Sequence, residues 1–154
     1  MMPANDLDAL AAGLFKTFAR FEYALKAAEF HKGEGAAEAN WRTFAESVAA
    51  SFEEPASEEF AQAIAYMLAN PPKKQIVEGG VLGWSASAPQ TDLQSDRVLI
   101  YVRRVRNNLF HGGKFNGRWF EPQRSAVLLQ HSLTILSACL AASPAVSEAY
   151  HNEP

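Results

Sequence analysis

A chain of 154 residues, 48% hydrophobic and 20% charged, is long enough to bury one substantial core without disulfides or metals, and it is expected to form a single domain over residues 1–154. A net charge of −3 excludes a surface coated with basic side chains for unspecific nucleic-acid binding, so any anionic partner must be met at one place. The single cysteine, Cys139, excludes a disulfide framework and a thiolate metal site, and it reads as a small buried hydrophobe.

In chain order, Asn5 to about Phe30 is helical by periodicity. Leu7, Leu10, Leu14, Phe18, Phe21 and Leu25 recur at spacings of three and four, Asn5 or Asp6 caps the start, and Gly33 and Gly35 close the end. Phe15, Phe18 and Glu22 run along the edge of that face, which places the Glu22 carboxylate at the border of the core; a plain surface pair with Lys26 is the alternative. A second helix is expected from Glu38 to Phe52, with Trp41, Phe44, Val48 and Phe52 facing inward. A third is expected from Ser57 to Asn70, with Phe60, Ile64 and Met67 or Leu68. Glu58 and Glu59 suit the positive end of its dipole, and Pro71-Pro72 stops it.

Lys73 to Gln90, with its three glycines, reads as a long loop carrying Trp84. That ring would either stack on a nucleic-acid base or fold back over the core, the second being favoured.

From Asp92 to His111 the helical pattern returns, with Val98, Val102, Val105 and Leu109 on one stripe and Arg103, Asn107 and His111 on the opposite one. Arg106 falls between the stripes, where its aliphatic stem can pack while the guanidinium reaches outward. Gly112-Gly113 ends this helix. A last strong helix covers Pro122 to Ala142, with Leu129, Leu133, Leu136 and Leu140 on one line and Leu128, Ile135 and Cys139 on the next. So wide an apolar face belongs either at the centre of a bundle or against a second subunit. Beyond Pro144 a short helical tail is expected to fray. His131 reads as a surface or interface histidine. No stretch is read as long and apolar enough to span a membrane, and no secretory leader is read at the N-terminus, so a cytoplasmic, reducing location is expected.

The segment from Arg97 to Arg124 holds seven of the 14 basic side chains against one acid, a local charge of +6 in a chain of −3. A guanidinium offers a fork of donors for phosphate, and an imidazole exchanges protons near neutral pH. Arg106 and His111 therefore supply what phosphodiester cleavage without a metal requires: a base for a 2′-hydroxyl and positive charge for the phosphorane. Asn107 can position either group or a phosphate oxygen, and Arg103, Arg104 and Lys114 can guide an RNA backbone. Five positions apart on one helix, Arg106 and His111 point away from each other; a two-fold dimer bringing two such helices together would repair this. No His, Asp and Glu spacing suggests a metal, and no cofactor is implied.

The run RNNLFHGGKF resembles the signature of HEPN domains, an arginine followed by a polar residue and, a few positions later, a histidine. Arg106, Asn107 and His111 match it, and the aromatic-rich first helix with the motif on the penultimate long helix is similar to the family's layout. The resemblance implies an all-α bundle of four to five main helices, commonly a homodimer with the two motifs in one cleft. It also implies a metal-independent endoribonuclease leaving a 2′,3′-cyclic phosphate, as a toxin or defence component with an antitoxin or a nucleotidyltransferase-like partner. Family members that do not cut RNA serve as RNA-, nucleotide- or protein-binding modules. Glu22 matches no motif position; its pairing with Arg106 is an inference from the helix pattern.

Overall fold

The computed structural model describes residues 4–110, 114–115, 118–119 and 122–152. Among them are seven helices: α1 (Ala4–Ala27), α2 (Trp41–Ser47), α3 (Ala49–Glu53), α4 (Glu58–Ala69), α5 (Gln94–Phe110), α6 (Pro122–Ala142) and α7 (Pro144–His151). Two antiparallel hairpins accompany them, β1 (Lys74–Glu78) with β2 (Val81–Ser85), and the short pair β3 (Lys114–Phe115) with β4 (Arg118–Trp119). The protein is mostly helical, as the periodicity implied, with strands the sequence reading lacked.

The expected α1 stripe is the core: Leu7, Leu14, Phe18, Phe21 and Leu25 are buried and Leu10 packs at the edge. Each such burial is worth about 1.5–3 kcal/mol. The helix stops earlier than its glycines suggested. Glu29 adopts a left-handed φ of 73°, its N–H donates to the Lys26 carbonyl, and the Phe30 N–H reaches back to the Leu25 carbonyl at 2.8 Å. That is a Schellman cap with glutamate where glycine is usual. Gly33 and Gly35 instead bend the following loop, closed by a bridge between His31 and Ala39.

The helix expected over Glu38–Phe52 is two. Asn40 caps α2 by accepting from the Thr43 N–H at 3.1 Å, and the helix breaks at Val48. The break coincides with the buried Ser95 hydroxyl donating to the Ala45 carbonyl at 2.7 Å, the oxygen a continuous helix would use for Ala49. Ser57 caps α4 through the Phe60 N–H, and Asn70 closes it. α5 lies against α2, α3, α4 and α6 as well as α1, so Leu99 and Tyr101 are buried beside the expected Val98, Val102 and Val105.

Within one chain α6 is central, although Leu133 and Leu140 of its expected apolar line are only partly buried. It packs on α1, α4, α5 and α7 and buries Leu128, Leu129, Ser132, Ile135, Leu136 and Cys139. By length and a mean hydropathy of 1.5 alone it meets the requirement for crossing a membrane, contrary to the sequence reading; here its apolar side chains supply the bundle core. His131 on its flank lies against Tyr66, ring centroids 4.8 Å apart. The expected fraying tail is α7, with Pro144 in its first turn. Val146 is fully buried, and Arg20 of α1 lies over the Tyr150 ring and donates to the Tyr150 carbonyl.

The long loop of residues 73–90 is corrected most. Lys74 to Ser85 form a five-pair hairpin about Gly79-Gly80, both at positive φ (57° and 76°), the type I′ conformation that matches strand twist. Trp84 does not fold over the core: it is 48% exposed on β2, near Val77 (70%), Val81 (68%) and Leu82 (65%).

Candidate functional site

The site is built on the seam where α1 and α5 run antiparallel. At its centre is Trp41, the first residue of α2, 4% exposed and stacked against Phe18 and Phe21 of α1, each with its ring centroid 5.3 Å away. Phe44 meets both Phe21 and Trp41 edge-on, and Phe30 meets Phe44. These offset and T-shaped pairs set ring quadrupoles favourably and present π faces at the seam.

Two arginines of α5 lie on those faces. The Arg103 guanidinium sits 5.5 Å from the Trp41 ring and that of Arg106 sits 5.1 Å from Phe18, one helical turn further on. Arg106 therefore packs with its charged head on the aromatic, whereas the sequence reading had only its stem packing. Its Nη1 also donates to Asn107 Oδ1 at 2.8 Å, so the two adjacent residues form one unit. Around Arg106 opens an apolar groove of about 400 Å³ lined by Ala11, Ala12, Leu14, Phe15 and Leu109.

Glu22 is at the core border as expected, but its partner is different. Oε2 accepts from the Trp41 indole N–H at 2.8 Å. A buried indole N–H needs an acceptor, and this carboxylate supplies it while its charge acts on Arg103 across the ring. Burial pushes the Arg103 guanidinium below its ordinary value, and the Asp96 and Glu22 charges oppose that shift. Arg103 accordingly lines the seam, contrary to the outward stripe drawn for it. Beyond it, Arg42 donates to the buried Asp96 carboxylate at 3.1 Å and to Thr91 at 2.8 Å; the bond to Asp96 raises the Arg42 value.

Arg104 is also engaged inside the fold. It donates to the carbonyls of Ser87 at 3.1 Å and Pro72 at 3.4 Å and lies over Tyr101. Asn108 donates to the Lys73 carbonyl at 2.8 Å, so the last turns of α5 grip both ends of the β1–β2 hairpin. Asn107 is the exposed side chain between them. Lys114 opens β3 and pairs with Trp119 along the backbone. His111 lies outside the described residues, as do Gly112 and Gly113; α5 is described up to Phe110.

Of the expected site residues, then, Arg106 and Asn107 are joined at the end of α5, Arg103 and Arg104 are engaged by the fold, Lys114 opens β3, His111 lies outside the described residues, and Glu22 of α1 answers to Trp41. Sequence reasoning missed Trp41 as the shared anchor. The available signal was that Leu99 and Tyr101 extend the apolar surface of α5 beyond one stripe, which puts Arg103 at a border. Among the described residues no group of His, Cys, Asp and Glu is arranged to hold a metal ion. No protein family, curated protein or solved structure matches this chain.

Proposed function

We propose that the chain is a HEPN-type, metal-independent endoribonuclease that works as a cytoplasmic homodimer. The observation that carries this reading is the Arg106–Asn107 unit at the end of α5, a permanently charged guanidinium placed over the Phe18 ring beside an open groove. In the reaction His111 takes the proton of an RNA 2′-hydroxyl, the 2′-oxygen attacks phosphorus, and Arg106 neutralises the charge that builds on the phosphorane. The imidazolium so formed returns that proton to the departing 5′-oxygen, and a 2′,3′-cyclic phosphate remains. Asn107, its carbonyl oxygen committed to Arg106, turns its amide NH₂ toward a phosphate oxygen or the imidazole. Lys114 guides the RNA backbone; Arg103 and Arg104 act indirectly, by holding α5. Restraint by an antitoxin or by a nucleotidyltransferase-like partner fits a chain of this kind.

Incubating the purified protein with mixed RNAs in EDTA tests this. Cleavage to 2′,3′-cyclic ends is expected, reduced by about 10²-fold or more in His111→Ala and Arg106→Ala. Intact RNA with the unaltered chain, or equal cleavage by His111→Ala, sinks the enzymatic reading.

The engagement of Arg103 and Arg104 within the fold favours a second reading, a non-catalytic module that binds RNA, a nucleotide or a protein through the remaining charge. It requires salt-sensitive binding that survives His111→Ala and weakens with Arg106→Ala.

A further inference from the structure

The β1–β2 hairpin is a two-stranded sheet with open edges, and it exposes four large apolar side chains. Isolated hairpins are marginal in water, and unprotected apolar edges are sites of strand addition. Neither strand carries a proline, and their five-pair register is unbroken. The question is what covers this edge, and the sequence of β1 answers it.

Antiparallel strand pairs facing each other across a ladder share a face. Val77 and Leu82 are opposite, as are Gln75 and Trp84, so one face carries Val77, Leu82, Trp84 and Gln75. The other carries Lys74, Ile76, Glu78 and Val81. A two-residue turn makes Glu78 and Val81 an i to i+3 hydrogen-bonded pair. Alternation along the ladder then directs the backbone groups of Lys74, Ile76 and Glu78 toward β2 and turns those of Gln75 and Val77 outward.

Place a second β1 antiparallel along that outer edge with Ile76 opposite its own copy. Gln75 of one chain then faces Val77 of the other, twice, and these are the residues whose N–H and C=O groups point outward. Four main-chain hydrogen bonds close without any shift of register. The same register sets Lys74 of each chain directly opposite Glu78 of the other, again twice, so both exposed charges of β1 are matched. β1 is thus complementary to itself in hydrogen-bond parity and in charge, as an isologous two-fold contact demands. The outer edge of β2 has no charged residue to set a register and has Gly83 at its centre.

We propose that β1 pairs with β1 of a second copy of this chain, making a four-stranded sheet β2–β1–β1–β2 with Ile76 on the two-fold axis. The pairing joins the two Val77, Leu82 and Trp84 faces side by side. Through Asn108 and Lys73 it also sets two α5 ends on one sheet. The inference supplies a specific contact for the homodimer of the proposed function. It is measured without RNA, so a paired but inactive chain would separate the two.

Ile76→Cys tests the axis. Directly opposed residues of a non-hydrogen-bonded pair lie about 4.5 Å apart at Cα, within disulfide reach. Cys139 is buried and its thiol is pushed up by burial, so it does not compete. Under mild oxidation at micromolar concentration the variant is expected to form a covalent dimer, whereas Gly83→Cys is not. Glu78→Lys puts like charges opposite each other twice and is expected to raise the dimer dissociation constant about tenfold, with Lys74→Glu/Glu78→Lys restoring it. Far-UV dichroism checks that each variant is folded. A monomer by sedimentation at tens of micromolar, including one that waits for a different protein on this edge, overturns the proposal. So does a dimer that crosslinks through Gly83→Cys and not Ile76→Cys.

Discussion

The α1–α5 seam and the β1–β2 hairpin treat the same kinds of side chain in opposite ways. In the seam, Trp41 is enclosed by two phenylalanines, an arginine and a carboxylate, and its N–H is satisfied. In the hairpin, Trp84 and its aliphatic neighbours face outward and the charges of β1 have no cross-strand partner of opposite sign. The difference separates what holds the chain together from what it offers to others. Groups engaged within the fold hold α5 in place; those of the hairpin stay at the surface, where the proposed β1–β1 contact would use them.

The comparison breaks first at the two tryptophans. Trp41→Ala empties the centre of the aromatic stack and is expected to cost about 3–5 kcal/mol of unfolding free energy in urea titration. Trp84→Ala in the Glu78→Lys background, at a concentration where sedimentation shows a monomer, is expected to stay within about 0.5 kcal/mol. Equal costs would dissolve the distinction.

A smaller effect probes Glu22. Glu22→Ala removes the acceptor of the buried indole N–H and is expected to cost about 1–3 kcal/mol. Glu22→Gln retains an acceptor oxygen and should recover most of it. If Glu22 served Arg106 through its charge, the glutamine variant would lose RNA cleavage without losing stability.

The smallest concerns pH. Partial burial of His131, on α6 against Tyr66 of α4, pushes its value down, so the folded state prefers the neutral imidazole. The unfolded chain binds the proton more readily; stability is therefore lost as pH falls through the ordinary imidazole value of about 6.5. The melting temperature is expected to drop between pH 7.5 and 5.5 by less in His131→Gln than in the unaltered chain. An identical drop would place the acid sensitivity elsewhere.

The long helices were legible because their apolar spacing reports directly on a buried face, and α6 begins and ends where its prolines put it. Three things were not. The Schellman cap at Glu29 depends on a left-handed residue that composition does not advertise. The break at Val48 depends on Ser95, distant in sequence, claiming a carbonyl. The hairpin was hidden because no residue of its strands is fully buried, so neither shows the apolar and polar alternation that marks a half-buried strand. At the site, the adjacency of Arg106 and Asn107 was plain from the sequence, while the partners of Arg103, Arg104 and Glu22 come from other helices and loops and leave no local trace.

Among the described residues, the hydrogen bonds by which Arg104 and Asn108 hold the hairpin go to the carbonyl oxygens of Pro72, Lys73 and Ser87. Every residue type presents that oxygen, so the clamp is indifferent to which side chains the strands carry. The segment between Lys73 and Ser87 can therefore diverge, or be exchanged for another hairpin of equal length, without disturbing α5. Exchanging the hairpin would thus alter the surface presented there while leaving α5 in place.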